Sequence, residues 1–201
     1  RKETYIIIEV SSFQLEKIKS FRPYIGIILN ISDDHFDRYA NFYEYFRAKE
    51  KIFLNKNEND WAVLNGDDIN CLKIGKKIRG KKIFFGFSQR LDVYFKNGFI
   101  YFDNRKIVNF EKSSLLGKGN IYNAMAGVSI GKICNIKDEV IEKGIINFSP
   151  SSHRMERVCE INGVVFINDS KATNPHAVKN ALECLQDGRV ILLMGGLDKG
   201  L

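Results

Sequence analysis

A chain of 201 residues that is 44% hydrophobic and 27% charged has enough apolar content to bury a core and too much of it to be disordered. Its formal charge of +7 comes from 31 basic residues interspersed with 24 acidic ones, which argues against a dedicated nucleic-acid-binding protein. No apolar run approaches the ~18 residues of a membrane helix, so no membrane insertion is expected.

The first predicted element is a strand over 5–10, Tyr-Ile-Ile-Ile-Glu-Val, followed by a short helical piece in which Phe13, Leu15 and Ile18 face inward. A second strand is predicted over 24–30 and a third over 61–64. Between them, Phe42, Tyr45, Phe46, Lys49 and Phe53 recur at helical spacing over 41–54, which places Lys49 on or beside an aromatic face. A helix over 69–78 and a strand over 82–87 follow. The basic run 73–82 reads as a solvated helix face and turn, or else as an anion or nucleic-acid patch.

Over 92–110 the pattern changes to short strands broken by Lys96-Asn-Gly98 and Asp103-Asn104, an antiparallel meander. Gly117-Lys-Gly-Asn-Ile-Tyr-Asn123 opens a helix, and a second helix is predicted over 138–146. Ser149-Pro-Ser-Ser152 reads as a domain boundary, giving domains 1–150 and 151–201. Beyond it come a hairpin turning at Asn162-Gly163, the polar loop Asp169-Ser-Lys-Ala-Thr-Asn174, a helix from Pro175 to about Leu185 and a strand over 189–194. The expected class is α/β: a mostly parallel mixed sheet flanked by helices with an antiparallel meander, then the start of a Rossmann-like unit. The cysteines, Cys71, Cys134, Cys159 and Cys184, form no C-x-x-C pair and suit small buried hydrophobes in a reducing, cytoplasmic setting.

Two polar clusters stand where buried strands should end, the edge at which open α/β sheets bind ligands. Glu9, with Ser11 two residues on, follows the apolar run 5–8 of the first strand, and Asp33-Asp-His-Phe-Asp37 follows the second. Glu9 and His35 form a plausible divalent-cation pair, or are a helix-capping acid and a satisfied loop histidine. Lys49 either snorkels from its apolar face or carries a charge altered by chemistry in a site. Asn120 and Asn123 either grip a nucleotide or cap the helix. Arg154, Asp169, Lys171 and Thr173 bring a guanidinium, a carboxylate, an ammonium and a hydroxyl to the second domain, and Lys199 lies beside Gly195-Gly196; this set suits phosphate handling, with a surface Asp–Lys pair as the plain alternative. There is no complete G-x-x-x-x-G-K-[ST] loop, no G-x-S-x-G elbow and no cysteine zinc motif, so a protein nucleophile is not indicated.

These segments, together with Arg47-Ala-Lys49 and His153-Arg-Met-Glu156, resemble the Mur ligase family of ATP-dependent amide-forming enzymes, most closely its D-glutamate-adding members. The most specific matches are Ser-Ser-Phe-Gln-Leu-Glu16 and Asn168-Asp-Ser-Lys-Ala-Thr-Asn174. The resemblance implies an acyl-phosphate route from UDP-N-acetylmuramoyl-L-alanine, D-glutamate and ATP, in a protein that is monomeric when full length and binds no nucleic acid. It implies Glu9 and His35 as ligands of Mg2+, with a carbamylated Lys49 supporting a second ion. It further implies Asn120, Asn123, Arg154 and Asp169 as nucleotide contacts, and Ser11, Lys171, Thr173 and Lys199 on the substrate side. Where the family usually carries a histidine before the first asparagine, this chain has Gly119. The family's UDP-binding domain and P-loop are not among these residues, so the chain is expected to be a segment of a longer protein that does not hydrolyse ATP by itself. The alternatives are another Mur-type or folylpolyglutamate-synthase-like ligase, and a non-catalytic basic nucleotide- or nucleic-acid-binding module.

Overall fold

In the computed structural model, which describes residues 4–32, 38–185 and 189–196, short apolar runs punctuated by Asn, Asp and Gly form the strands. Six of them make one mixed sheet in sequence order: β1 (Ile25–Ile28), β2 (Trp61–Asn65), β3 (Lys82–Gly86), β4 (Val93–Lys96), β5 (Phe99–Phe102) and β6 (Arg105–Asn109). The β1–β2 and β3–β4 pairs are parallel, and the β4–β5 and β5–β6 pairs are antiparallel. The expected α/β class and its meander are therefore present. The chain divides into two compact units, one ending at Ile83 and the other running Phe84–Gly196.

In the first unit, α1 (Ser12–Glu16) packs on α2 (Phe42–Glu50), which continues into the 3-10 turn Lys51–Phe53, and α3 (Ile69–Lys77) packs on β2. Ala62, Val63 and Leu64 of β2 are fully buried with Cys71 and Ile74 of α3 beneath them. Gly26 is required by a close approach rather than by its backbone angles: a Cβ there would stand 2.6 Å from Cε1 of Phe53. The basic run resolves into particular tasks. Lys82 donates to the carbonyls of Gly75 and Ile78, at 3.0 Å each, closing the end of α3, and Lys77 pairs with Glu50 at 2.7 Å.

In the second unit, the turns at Asn97-Gly98, Asp103-Asn104 and Asn162-Gly163 all place both central residues at positive φ, the twist that two-residue hairpins require. Helix α4 (Gly117–Ile133) packs on β4 and β5, and α5 (Asp138–Ile146) packs on β6. Strands β7 (Glu156–Ile161) and β8 (Val164–Asn168) form a separate antiparallel pair. It leads into α6 (Pro175–Glu183), where Asn174 caps the helix by accepting from the Ala177 amide at 2.8 Å and Pro175 occupies the first turn.

Two expected strands, 5–10 and 189–194, are absent. Neither run is in a ladder among the described residues, and both are exposed, Ile7 at 93% and Leu193 at 89%. Their β-branched composition sets a preference, but a strand exists only when a neighbour takes up its N–H and C=O groups. The last βαβ unit accordingly stops, in described form, at its helix.

The cysteines are all free and unlike one another: Cys71 is buried, Cys134 and Cys184 are half-buried and Cys159 is exposed. Cys159 thus departs from the expected buried hydrophobe. Burial first, then the nearby Asp68 carboxylate, pushes the Cys71 thiol up to about 12, so it remains a thiol near neutrality, and the thiolate is the reactive form. Under brief iodoacetamide treatment of the native protein at pH 8, peptide mass spectrometry should find Cys159 alkylated and Cys71 protected, with Cys71 labelled only after denaturation.

Candidate functional site

Parallel strands β1 and β2 deliver their loops to the same edge, and side chains supply the backbone partners there. Asn65 donates to the Leu29 carbonyl at 3.0 Å, and Asn70 donates to the Ile31 carbonyl at 3.0 Å. Asp68 does two jobs. Its Oδ1 caps α3 by accepting from the Asn70 and Cys71 amides at 2.8 Å each, while its Oδ2 accepts from the Ile31 amide at 3.0 Å. From sequence alone, Asn65-Gly-Asp-Asp68 reads only as a turn and helix start. The available signal was the cluster of Asn and Asp directly after a buried strand.

Of the predicted metal and substrate residues of this unit, Glu9 is exposed two residues before the N-cap of α1. Ser11 is that N-cap: its hydroxyl accepts from the Gln14 amide at 3.3 Å while its own amide donates to Gln14 Oε1 at 2.8 Å, a reciprocal capping box. The hydroxyl of this predicted substrate contact is thus engaged in holding a helix start. Lys49 is half-buried with its Nζ 5.2 Å from the centroid of the Tyr45 ring, the geometry of a cation held on an aromatic face. His35 and Lys199 lie outside the described residues. Among the described residues, no three His, Cys, Asp or Glu side chains converge as a metal cage. The donor available is the Glu9 carboxylate, a hard oxygen ligand that suits an ion retaining water and substrate oxygens, as Mg2+ does.

In the second unit, the helix-capping alternative for Asn120 and Asn123 does not hold. The N-cap position of α4 is Leu116, with no side-chain cap bond. Asn120 instead bonds back to the Leu116 carbonyl at 2.7 Å, and Asn123 is exposed one turn further along the helix start. Gly117 opens the helix at φ +84°, and a Cβ on it would lie 1.8 Å from Sγ of Cys184, so no other residue fits this junction with α6.

Arg154, Asp169 and Lys171 come together because two loops are laced at one end of the β7–β8 pair. The Asp169 carboxylate accepts from the Met155 amide at 3.0 Å, the Lys171 amide donates to the His153 carbonyl at 3.1 Å, and His153 contacts Asn168 through its ring nitrogen at 2.8 Å. His153 and Met155 both take positive φ, 69° and 48°, which turns the chain so that Arg154 lies between them, exposed. Lys171 and Thr173 are also exposed on this loop pair. The laced loops thus carry an exposed arginine, lysine and threonine together with a carboxylate held by backbone, residue types suited to an anionic ligand.

Profiles of known families match this chain in two places: the Mur ligase middle domain over residues 1–131, and the Mur ligase glutamate ligase domain over residues 153–201. The chain is similar to UDP-N-acetylmuramoylalanine--D-glutamate ligase of Alkaliphilus metalliredigens, at 41% identity over 99% of this chain and 45% of that protein. It is similar to the enzyme of the same name from Clostridioides difficile, at 38% identity over 99% of this chain and 45% of that protein. The chain thus spans about 45% of the length of these relatives. Among solved structures, MurF from Acinetobacter baumannii superposes with a TM-score of 0.71 at 19% identity, covering 84% of this chain and 38% of that one. A pseudomurein peptide ligase type C from Methanothermus fervidus superposes with a TM-score of 0.66 at 21% identity, covering 80% of this chain and 41% of that one. These structural likenesses carry the fold.

The double use of Asp68 makes it a sensitive position. Asp68→Ala removes a helix cap and the tie to the Ile31 amide and should lower stability by about 2 kcal/mol. Asp68→Asn keeps a competent cap and should cost about half as much. Urea unfolding followed by circular dichroism measures both.

Proposed function

The chain belongs to the Mur ligase family, and from that premise we propose that the protein containing it joins D-glutamate to UDP-N-acetylmuramoyl-L-alanine at the expense of ATP, in the cytoplasm, as a step of peptidoglycan precursor synthesis. The observation that carries the reading is the likeness to D-glutamate ligases along nearly the whole chain at about 40% identity, including the loop whose Asp169 is tied to the Met155 amide. In this reading residues 1–150 are the central nucleotide-binding domain and 151–201 the opening of the C-terminal Rossmann-like domain.

The chemistry consists of two displacements. The L-alanyl carboxylate attacks the γ-phosphorus of ATP, forming an acyl phosphate and releasing ADP. The amine of D-glutamate then adds to the acyl carbon, and collapse of the tetrahedral adduct expels inorganic phosphate and leaves an amide, with one amine proton passing to solvent. Both steps require reactants held in line and negative charge neutralised, rather than a nucleophile from the protein. Asn120 and Asn123 would orient the nucleotide, with Arg154 and Asp169 reaching it from the C-terminal side. Ser11, Lys171, Thr173 and Lys199 would hold the substrate carboxylates and the acyl phosphate. Glu9, His35 and a carbamylated Lys49 would hold Mg2+. Bound there, the metal neutralises phosphate charge and polarises the phosphoryl oxygens.

In the full-length protein, ATP hydrolysis in the presence of UDP-N-acetylmuramoyl-L-alanine should be stimulated by D-glutamate, and not by L-glutamate, D-alanyl-D-alanine or diaminopimelate. Stimulation by one of the other amino acids would reassign the substrate within the family. Steep salt-dependent RNA or DNA affinity without a nucleotide response would overturn the ligase reading. Lys49→Ala should lower kcat by about two orders of magnitude with a smaller change in KM, the mark of a group acting on the reacting charges rather than on ground-state binding. With 13C-bicarbonate present, a bound carbamate carbon should appear in the NMR spectrum of the native enzyme and be missing in Lys49→Ala.

A further inference from the structure

A continuous column of aromatic contacts connects α1 and α2 of the first unit. Arg38 donates to both Glu16 oxygens, at 3.4 and 2.9 Å, and its guanidinium lies 4.7 Å from the centroid of the Phe13 ring. The Phe13 ring stacks on Tyr39, centroids 5.9 Å apart and planes 25° apart. Tyr39 is tilted against Tyr45 at 5.5 Å, and Tyr45 carries the Lys49 ammonium on its face at 5.2 Å. Phe13 lies on α1 two residues past Ser11, Arg38 and Tyr39 precede the Asn41 cap of α2, and Tyr45 and Lys49 are on α2. At the far end of α2, Lys51 donates to the Glu16 carbonyl at 2.7 Å, so α1 is held to α2 from both sides.

Tyr39 and Tyr45 are 6% and 5% exposed, and rings buried against one another have few rotamers to exchange. The Tyr39 hydroxyl is buried and closes no hydrogen bond of good geometry. Its polar neighbours are Ser12 and Glu16, and burial raises the phenol's pKa before either of them acts. What Tyr39 contributes is its ring. The Arg38–Glu16 pair is the exposed terminus: the hydrogen bonds from Arg38 hold the Glu16 carboxyl below its ordinary range, and the pair fixes how Phe13 faces Tyr39.

We propose that Arg38, Phe13, Tyr39 and Tyr45 are positioning residues that fix where the Lys49 amine stands on the Tyr45 face. The proposal rests on the ligase reading for its consequence in catalysis, though not for its geometry. The column acts through Lys49 and touches no reactant itself. Misplacement of a reacting group by about 1 Å can cost up to 10²-fold in rate, so partial loosening should give intermediate losses.

The test uses the full-length enzyme and two readouts. Tyr39→Leu should lower kcat about tenfold, with KM for ATP and D-glutamate held within about twofold, and Tyr39→Phe should restore kcat because the ring is kept. Independently of activity, reductive methylation in bicarbonate-free buffer should label Lys49 about threefold faster in Tyr39→Leu than in the parent, with the other lysines unchanged. Unchanged Lys49 labelling together with kcat within twofold, even where the melting temperature falls, would show the column to be core packing alone and overturn the proposal. Should Tyr39→Leu fail to fold, Arg38→Ala at the exposed end carries the same test, with about threefold effects expected and Arg38→Lys recovering part of them; no change in either readout overturns the proposal. If the parent enzyme shows no D-glutamate-dependent turnover, the ligase reading fails, while the labelling result still decides the column.

Discussion

Each buried parallel strand ends by releasing backbone groups that no ladder will satisfy, and in the first unit that constraint is met by three side chains. Asn65, Asp68 and Asn70 take up the carbonyls of Leu29 and Ile31 and the Ile31 amide, while the same Asp68 carboxylate starts α3. An unsatisfied buried amide or carbonyl costs on the order of 1–3 kcal/mol, comparable to a large share of a domain's net stability. The loop after β1 is therefore anchored up to Ile31, immediately before the acidic and histidine-containing stretch. Rigid anchoring of a loop at a sheet edge is a common way for an α/β protein to present ligand-binding residues.

The second unit solves a similar problem with residues that also belong to the candidate site. Asp169 holds the Met155 amide, and Asn168 is shared between the Ser170 amide and the His153 ring. Because an Asp169 oxygen is used for the fold, any part this carboxylate takes in recognition would be inseparable from structure at that position. Ser11 shows the same economy in the first unit, since its hydroxyl caps α1. A loss of activity on substituting either residue thus needs a parallel stability measurement before it is assigned to chemistry.

Most of the fold was legible because its signals are local. Asn-Gly and Asp-Asn turns demand positive φ, Pro175 after Asn174 demands a helix start, and the meander followed from those alone. The strands expected at 5–10 and 189–194 show the limit of such reading: local preference was right for a strand, yet pairing is a property of the neighbour. For the site, the residue types at Arg154, Asp169 and Lys171 suggest anion handling, and the backbone ties between their two loops could not be read from residue type. The roles of Asp68 and Tyr39 were not legible, since each depends on partners more than twenty residues away, Ile31 for the first and Phe13 for the second.

The aromatic face under Lys49 bears on how a change of charge at that residue would be controlled. A ring presents negative density to whatever lies over it, so Tyr45 favours an ammonium, by about 0.5–2 kcal/mol depending on desolvation. A carbamate in the same place would meet the ring with the wrong sign and would lose that attraction. A carbamate at that position would need a cation on its other side to compensate for the new negative charge, which would tie its formation to metal binding. Under the positioning proposal, the column that fixes Tyr45 would set where Lys49 stands and would favour its ammonium over a carbamate wherever no cation lies beside it.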